Sequence, residues 1–312
     1  MKQTRALTEG AVMLALFMIL VGMALFIPVI GTLVIWLLPL PFIVYTVRFG
    51  LKPAFIVWIT AFFISFLLGG VLALPFTLLF ASGGVVIGEL IRREKEALMV
   101  LVGGSLTYIV GLIIVFVGSI VIFDIDPVQS MQEAMEQSIH SAESMLFSLG
   151  QEPGEQLEEF EEALALLQEM TPMILTLTGI GLALVSQGIS HVVLRRLKES
   201  YQAFPPFRDW NMPKSFIWYY LAALIAVLIG VEEGTPSYTV LWNVFPLLEI
   251  AMTVQGLTVV FLFFHQRNGS RVIPFLILGS SIIIPFLLDL IRLLGIVDLG
   301  FELKKRMQTD QK

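Results

Sequence analysis

The sequence predicts an all-α fold, a polytopic bundle of helices spanning a lipid bilayer. Three observations carry that reading. Hydrophobic residues make up 57% of the 312-residue chain and charged residues only 14%, where a soluble domain carries about 25% charged residues. The apolar surplus is gathered into runs of the ~20 residues that a membrane helix needs. Lysine and arginine fall in alternate connections between those runs, as the positive-inside rule requires. The composition excludes a soluble enzyme, a disordered chain and a nucleic-acid binder, since the net charge is −6 and no basic stripe is present. Cysteine is absent, so no disulfide, thiolate metal site or cysteine nucleophile exists.

In chain order the predicted spans are 10–27, 30–47, 53–69, 72–91, 98–123, 172–194, 215–231 and 238–264. The first follows Lys2 and Arg5 and lacks a small-x-small cleavage site, so it reads as a retained helix. Basic residues follow span two (Arg48, Lys52), span four (Arg92, Arg93, Lys95), span six (Arg195, Arg196, Lys198, Arg208, Lys214) and span eight (Arg267, Arg271). The opposite connections, 28–31, 69–72, 124–171 and 231–237, hold no lysine or arginine. This places the N-terminus in the cytoplasm.

A ninth apolar stretch, 272–297, breaks the pattern. One crossing there would put Lys304, Lys305 and Arg306 on the wrong side. Pro274, Gly279, Pro285 and Gly295 interrupt it, and Asp289 and Arg292 stand three apart, close enough to pair on one helix face. The stretch is therefore expected to be broken or re-entrant, giving about eight crossings; a ninth crossing is the alternative. Re-entrant backbone requires cover by protein or a wet cavity.

Residues 124–170 form an acidic insertion with twelve of the 25 acidic residues and no lysine or arginine. Apolar positions at helical spacing, broken at Gly150-Gln151-Glu152-Pro153-Gly154, predict two amphipathic helices joined by a turn. They read either as a solvated hairpin or as a lid whose negative field favours cations.

Ionisable and polar groups at membrane depth are the candidate functional residues. Glu249, near the middle of span eight and close to Pro246, is the leading one. It fits either a proton or cation ligand or a neutral carboxyl donating to a neighbouring helix. Asn243 and Gln255, in span eight, have the chemistry of interhelical hydrogen-bond partners, and Gln187, in the inner half of span six, is a further intramembrane polar candidate. His191, close to Arg195, belongs to a cytoplasmic interface, and Glu89 is expected to pair with Arg92 or Arg93 one turn away. Gly84 and Gly88 are four apart, the small-xxx-small spacing of close helix packing, and no phosphate-loop lysine follows them. No ATPase, hydrolase or metal motif is present, so the expectation is a non-enzyme without cofactor or metal.

On the first helix, Ala11 and Ala15 form an Ala-xxx-Ala pair. Together with six helices over 1–197, this resembles the substrate-binding S-components of energy-coupling-factor (ECF) transporters. There, the small-residue stripe of helix one packs against a coupling subunit. The whole chain resembles the YybS family of bacterial multipass membrane proteins, distantly related to S-components. That likeness rests on Met1–Ala11, on Leu38-Pro39-Leu40-Pro41 with Tyr45-Thr46-Val47-Arg48, and on Gly295–Lys305. It implies a bacterial plasma membrane, and a membrane-bound cyclic-di-AMP phosphodiesterase as a partner. The expected organisation is an S-component-like part, 1–197, with the acidic hairpin inserted, and a C-terminal membrane module, 198–312. The leading functional expectation is a small-solute-binding subunit that depends on a partner for energy. The rival is a non-transporting scaffold for a signalling or envelope enzyme, and an ion-coupled transporter using Glu249 stands third.

Overall fold

A computed structural model describes residues 2–148, 169–232, 234–267, 269–270 and 272–309. Its described residues are helical throughout apart from turns and short connections. They group into two compact units. Unit 1 is formed from Met1–Leu164 and Ile174–Ala203, and unit 2 from Ala165–Met173 and Phe204–Lys312. Unit 1 ends in a strap, residues 197–203, fastened back onto it. Glu199 Oε1 accepts from Arg48 Nε at 2.8 Å, Gln202 Nε2 donates to Glu94 O at 3.1 Å, and Tyr201 packs on the His191 ring with centroids 4.6 Å apart.

Unit 1 opens with α1 (Lys2–Phe26), which stops before Pro28. The second crossing is broken. It comprises α2 (Pro28–Val34), a short 3-10 turn, and α3 (Leu40–Phe49), which begins at the Leu38-Pro39 step. Gly50, with φ +83°, ends α3 by donating to Thr46 O at 2.8 Å, and α4 (Leu51–Gly69) follows directly.

The apolar helical run Leu51–Arg92 is 42 residues long. It is a hairpin, not one helix. Trp58 Nε1 donates to Ser82 Oγ at 3.0 Å and Ser65 pairs with Thr77 at 2.6 Å, so residue numbers fall on one leg as they rise on the other. The fold-back lies at Gly69-Gly70, where Gly70 adopts φ +61°, a conformation that favours glycine. The returning leg passes through a π-helical turn, Thr77–Ala81, into α5 (Ser82–Arg92). The separate spans expected at 53–69 and 72–91 are these two legs.

Next come α6 (Ala97–Phe123) and the solvent-facing α7 (Pro127–Ser148), where Asp126 Oδ1 caps the new helix by accepting from Val128 N at 2.9 Å. Of the second amphipathic helix of the insertion, only Glu169 and Met170 are among the described residues. The last long helix of this part is α8 (Thr171–Arg196). The core of unit 1 gathers Phe17, Phe42, Ile43, Ile87 and Tyr108. The Phe17 and Phe42 rings meet edge to face at 5.0 Å, and the fully buried Tyr108 hydroxyl bonds Ser186 at 2.8 Å.

Unit 2 contains α9 (Ser215–Ile229), α10 (Pro236–Gln266), α11 (Val272–Ile283), α12 (Pro285–Phe301) and α13 (Leu303–Thr309). Thr235 caps α10 by accepting from Tyr238 N, and Pro246 sits inside α10 without ending it. At 31 residues α10 is about 46 Å long, ample for a crossing. By contrast, α11 has 12 residues, about 18 Å, too short to cross.

The contacts of α10 set the direction of α12. Glu249 meets Arg292, Gln255 meets Asp298, Thr258 meets Lys304, and Gln266 meets Met307. Both numbers rise together, so the chain beyond Pro285 runs parallel to α10. Phe275, near the start of α11, meets Phe261, near the end of α10, edge to face at 5.1 Å. Residues 272–309 therefore start and finish at the same end of α10. This is the expected broken, re-entrant segment, with Ile284 in extended conformation at the break. α10 covers the returning leg, α12, tightly. A Cβ on Gly256 would strike Ile291 O, and one on Gly295 would strike Met252 O.

Candidate functional site

Within unit 1, Ala11 and Ala15 lie exposed on α1. Ala11 lines an apolar groove of about 520 Å³, with Ala6, Gly10 and Leu14 from α1, and Ile56 and Val57 from α4. Tyr45, whose hydroxyl donates to Ala6 O at 3.1 Å, forms its floor, and Lys52 belongs to its lining. A charged cluster lies beside it: Arg48 donates to Glu9 at 3.0 Å and Arg5 to Glu9 at 2.7 Å. Small side chains keep the groove open to a second helix backbone.

Gly84 and Gly88 are a packing contact within unit 1. A Cβ on Gly84 would sit 2.6 Å from Pro39 O, and one on Gly88 2.8 Å from Ile43 O, so α5 presses its backbone onto α3. Glu89 forms two bonds to Arg92 and one to Arg93, each at 2.7 Å. Gln187 is fully buried and donates to Ala97 O at 2.9 Å. Its Oε1 and the Tyr201 hydroxyl face each other without a hydrogen bond of standard geometry, and His191 Nδ1 also lacks one. Burial raises the Tyr201 hydroxyl above the ordinary phenol range.

In unit 2, Glu249 is not isolated. Its carboxylate accepts from Arg292 Nη1 at 2.8 Å, and the same nitrogen lies 3.0 Å from Asp289. The Glu249 carboxyl thus faces a guanidinium supplied by α12. Arg292 Nε is buried and unbonded. Asn243 donates to Glu169 O at 2.7 Å and accepts from Met173 N at 2.9 Å, closing backbone groups at a helix start.

Gln255 is the hub of a second network. Its amide nitrogen donates to Asp298 at 2.6 Å and Asn211 at 2.9 Å, and its oxygen accepts from Met212 N at 2.8 Å. Asp298 also accepts from Lys304 N at 2.8 Å, and Lys304 Nζ donates to Thr258 Oγ1 at 3.0 Å and to Trp210 O. Asp298 and Lys304, 3% and 8% exposed, are functional candidates that sequence reasoning missed. Their signal was present in the C-terminal Gly295–Lys305 stretch, an acid and a lysine flanking the end of an apolar helix. Burial lowers the Lys304 ammonium below the ordinary lysine value, opposed by Asp298 and Asp209.

The family described as "Predicted membrane protein (DUF2232)" matches residues 15–299. An uncharacterized protein, YybS of Bacillus subtilis (strain 168), is 28% identical over 310 residues, covering 99% of this chain and 100% of that protein. No solved structure matches.

Proposed function

Starting from the chain's membership of the DUF2232 family of predicted membrane proteins, the YybS family, we propose a partner-dependent, S-component-like subunit that binds a small solute for uptake across a bacterial plasma membrane. It is read as a non-enzyme with its N-terminus in the cytoplasm, the orientation favoured by its basic connections. One observation carries the reading. The small residues Ala11 and Ala15 are exposed on α1, and Ala11 opens onto an apolar groove instead of facing the protein's own core. A coupling subunit would pack a helix there.

The test replaces both alanines with leucine, which holds a neighbouring backbone away. Ala11→Leu with Ala15→Leu should insert and fold like the parent, yet lose a coupling subunit that co-purifies from native membranes. Retention of every partner by the folded double variant would remove the residue-level support for the reading. A second reading is a scaffold for an envelope or signalling enzyme such as a membrane-bound cyclic-di-AMP phosphodiesterase. Unit 2 favours it, because this C-terminal unit has its own core and polar cavity beyond the six-helix plan. The identity of the lost partner separates the two.

A further inference from the structure

We propose that unit 2 binds a phosphate ester in a cavity formed by residues 208–214 and 298–308. The phosphate belongs either to an anionic phospholipid headgroup or to a soluble phosphorylated molecule. The cavity measures about 180 Å³. That is below the ~300–1,000 Å³ of pockets for drug-sized ligands, and it suits a headgroup-sized one.

Four cationic side chains, Arg208, Lys214, Lys304 and Lys305, line it together with three carboxylates, Asp209, Asp298 and Glu302. The carboxylates are largely committed to the protein. Asp298 uses one oxygen for Lys304 N and the other for Gln255 Nε2. Glu302 is shared between Lys214 and Lys305. Of the seven charged side chains in the lining, four are cationic and three acidic.

Lys304 supplies the floor. An ammonium has three N–H donors. Trp210 O and Thr258 Oγ1 take two of them, both from neutral oxygens, and among the described residues no third acceptor is bonded to it. The side chain is held in place by burial, at 8% exposure, so the remaining donor is fixed in the cavity wall. A preorganised lysine with a spare donor, below a rim of basic groups, matches the several anionic acceptors of a phosphate. The cavity lies at the end of α10 that carries Thr258 and Gln266, where the apolar helix gives way to charged chain. Such basic sites beside membrane helices recognise lipid headgroups.

The experiment uses the full chain in nanodiscs. In phosphatidylcholine discs doped with phosphatidylglycerol, the parent should unfold at a higher temperature than in phosphatidylcholine alone and retain the anionic lipid in native mass spectrometry. Glycerol 3-phosphate added to pure phosphatidylcholine discs tests the soluble source. Removing one charged contact weakens a charge-assisted bond by on the order of tenfold or more in affinity. Arg208→Gln and the double variant Lys214→Gln with Lys305→Gln should each show that loss for whichever ligand binds. Arg195→Gln with Arg196→Gln removes two charges elsewhere and should leave binding unchanged. Stabilisation by the lipid alone assigns a headgroup site, and stabilisation by glycerol 3-phosphate assigns a soluble ester. Absence of both effects, or an equal loss in the Arg195/Arg196 control, overturns the proposal.

Discussion

Arg292 Nη1 lies 2.8 Å from the Glu249 carboxylate and 3.0 Å from Asp289, so one guanidinium serves two acids on α10 and α12. Removing one partner of a buried pair leaves the other charge uncompensated and costs about 3–5 kcal/mol, whereas replacing both by apolar groups is often neutral. Glu249 and Arg292 are partly exposed and Asp289 stays beside Arg292, so Glu249→Leu should cost less than that, about 1 kcal/mol in mixed-micelle unfolding. The double variant Glu249→Leu with Arg292→Leu should recover most of that loss. A double variant as unstable as the sum of its singles would show that the two side chains act independently.

The approach of α12 to α10 rests on two missing side chains. Gly256→Ala and Gly295→Ala each drive a methyl into a facing backbone carbonyl. Overpacking of this kind costs about 1–3 kcal/mol, with backbone contacts at the upper end because they relax poorly. Gly118→Ala, inside α6 with nothing within 4 Å of its Cβ position, is the matched control. It should be neutral or stabilising by up to about 1 kcal/mol. Equal melting temperatures for all three variants would contradict the packing described.

Topology can be read directly because the parent has no cysteine. Single cysteines at Ser141, in α7, and at Ser200, in the strap, should behave differently toward a membrane-impermeant thiol reagent. In intact cells with a permeable wall only Ser141→Cys should react. Labelling of Ser200→Cys under the same conditions would reverse the orientation.

Burial lowers the Lys304 pKa from its ordinary value of 10.5. Between the lowered folded value and 10.5, the unfolded chain binds more protons than the folded one. The cost of holding the charged amine is full below that window and fades as pH rises through it. The parent's stability should therefore rise relative to that of Lys304→Met as pH increases toward 10.5. A pH-independent difference between the two proteins would remove the buried-ammonium account.

Local pairings were readable from spacing alone. Glu89 with Arg92 and Arg93, and Asp289 with Arg292, are three or four residues apart, and helix geometry brings them together. The two legs around Gly69-Gly70 were equally legible, since each is an apolar run bounded by a turn signal. The pairing of Glu249 with Arg292 spans 43 residues, and the contact of Gln255 with Asp298 does too. Neither follows from helical period. Both depend on α12 lying parallel to α10, which is a property of how the break at Ile284 redirects the chain. Lys304 was legible as a basic tail residue and illegible as a buried one, because its cover comes from Trp210 and Thr258 far away in sequence.

The parallel course of α12 bears on how this chain is made. A nascent helix is handed to the bilayer by the translocon when it is long enough to stop transfer on its own. Here α11 is too short for that, and α12 carries Asp289 and Arg292 near its start. Since residues 272–309 begin and end at one end of α10, no part of them needs translocation. Their insertion becomes a docking step that waits for α10, with Gly256 as the seat for Gly295 and Glu249 as the counter-charge for Arg292. Residues 272–309 are thus left to find their place by folding, once the membrane machinery has placed α10.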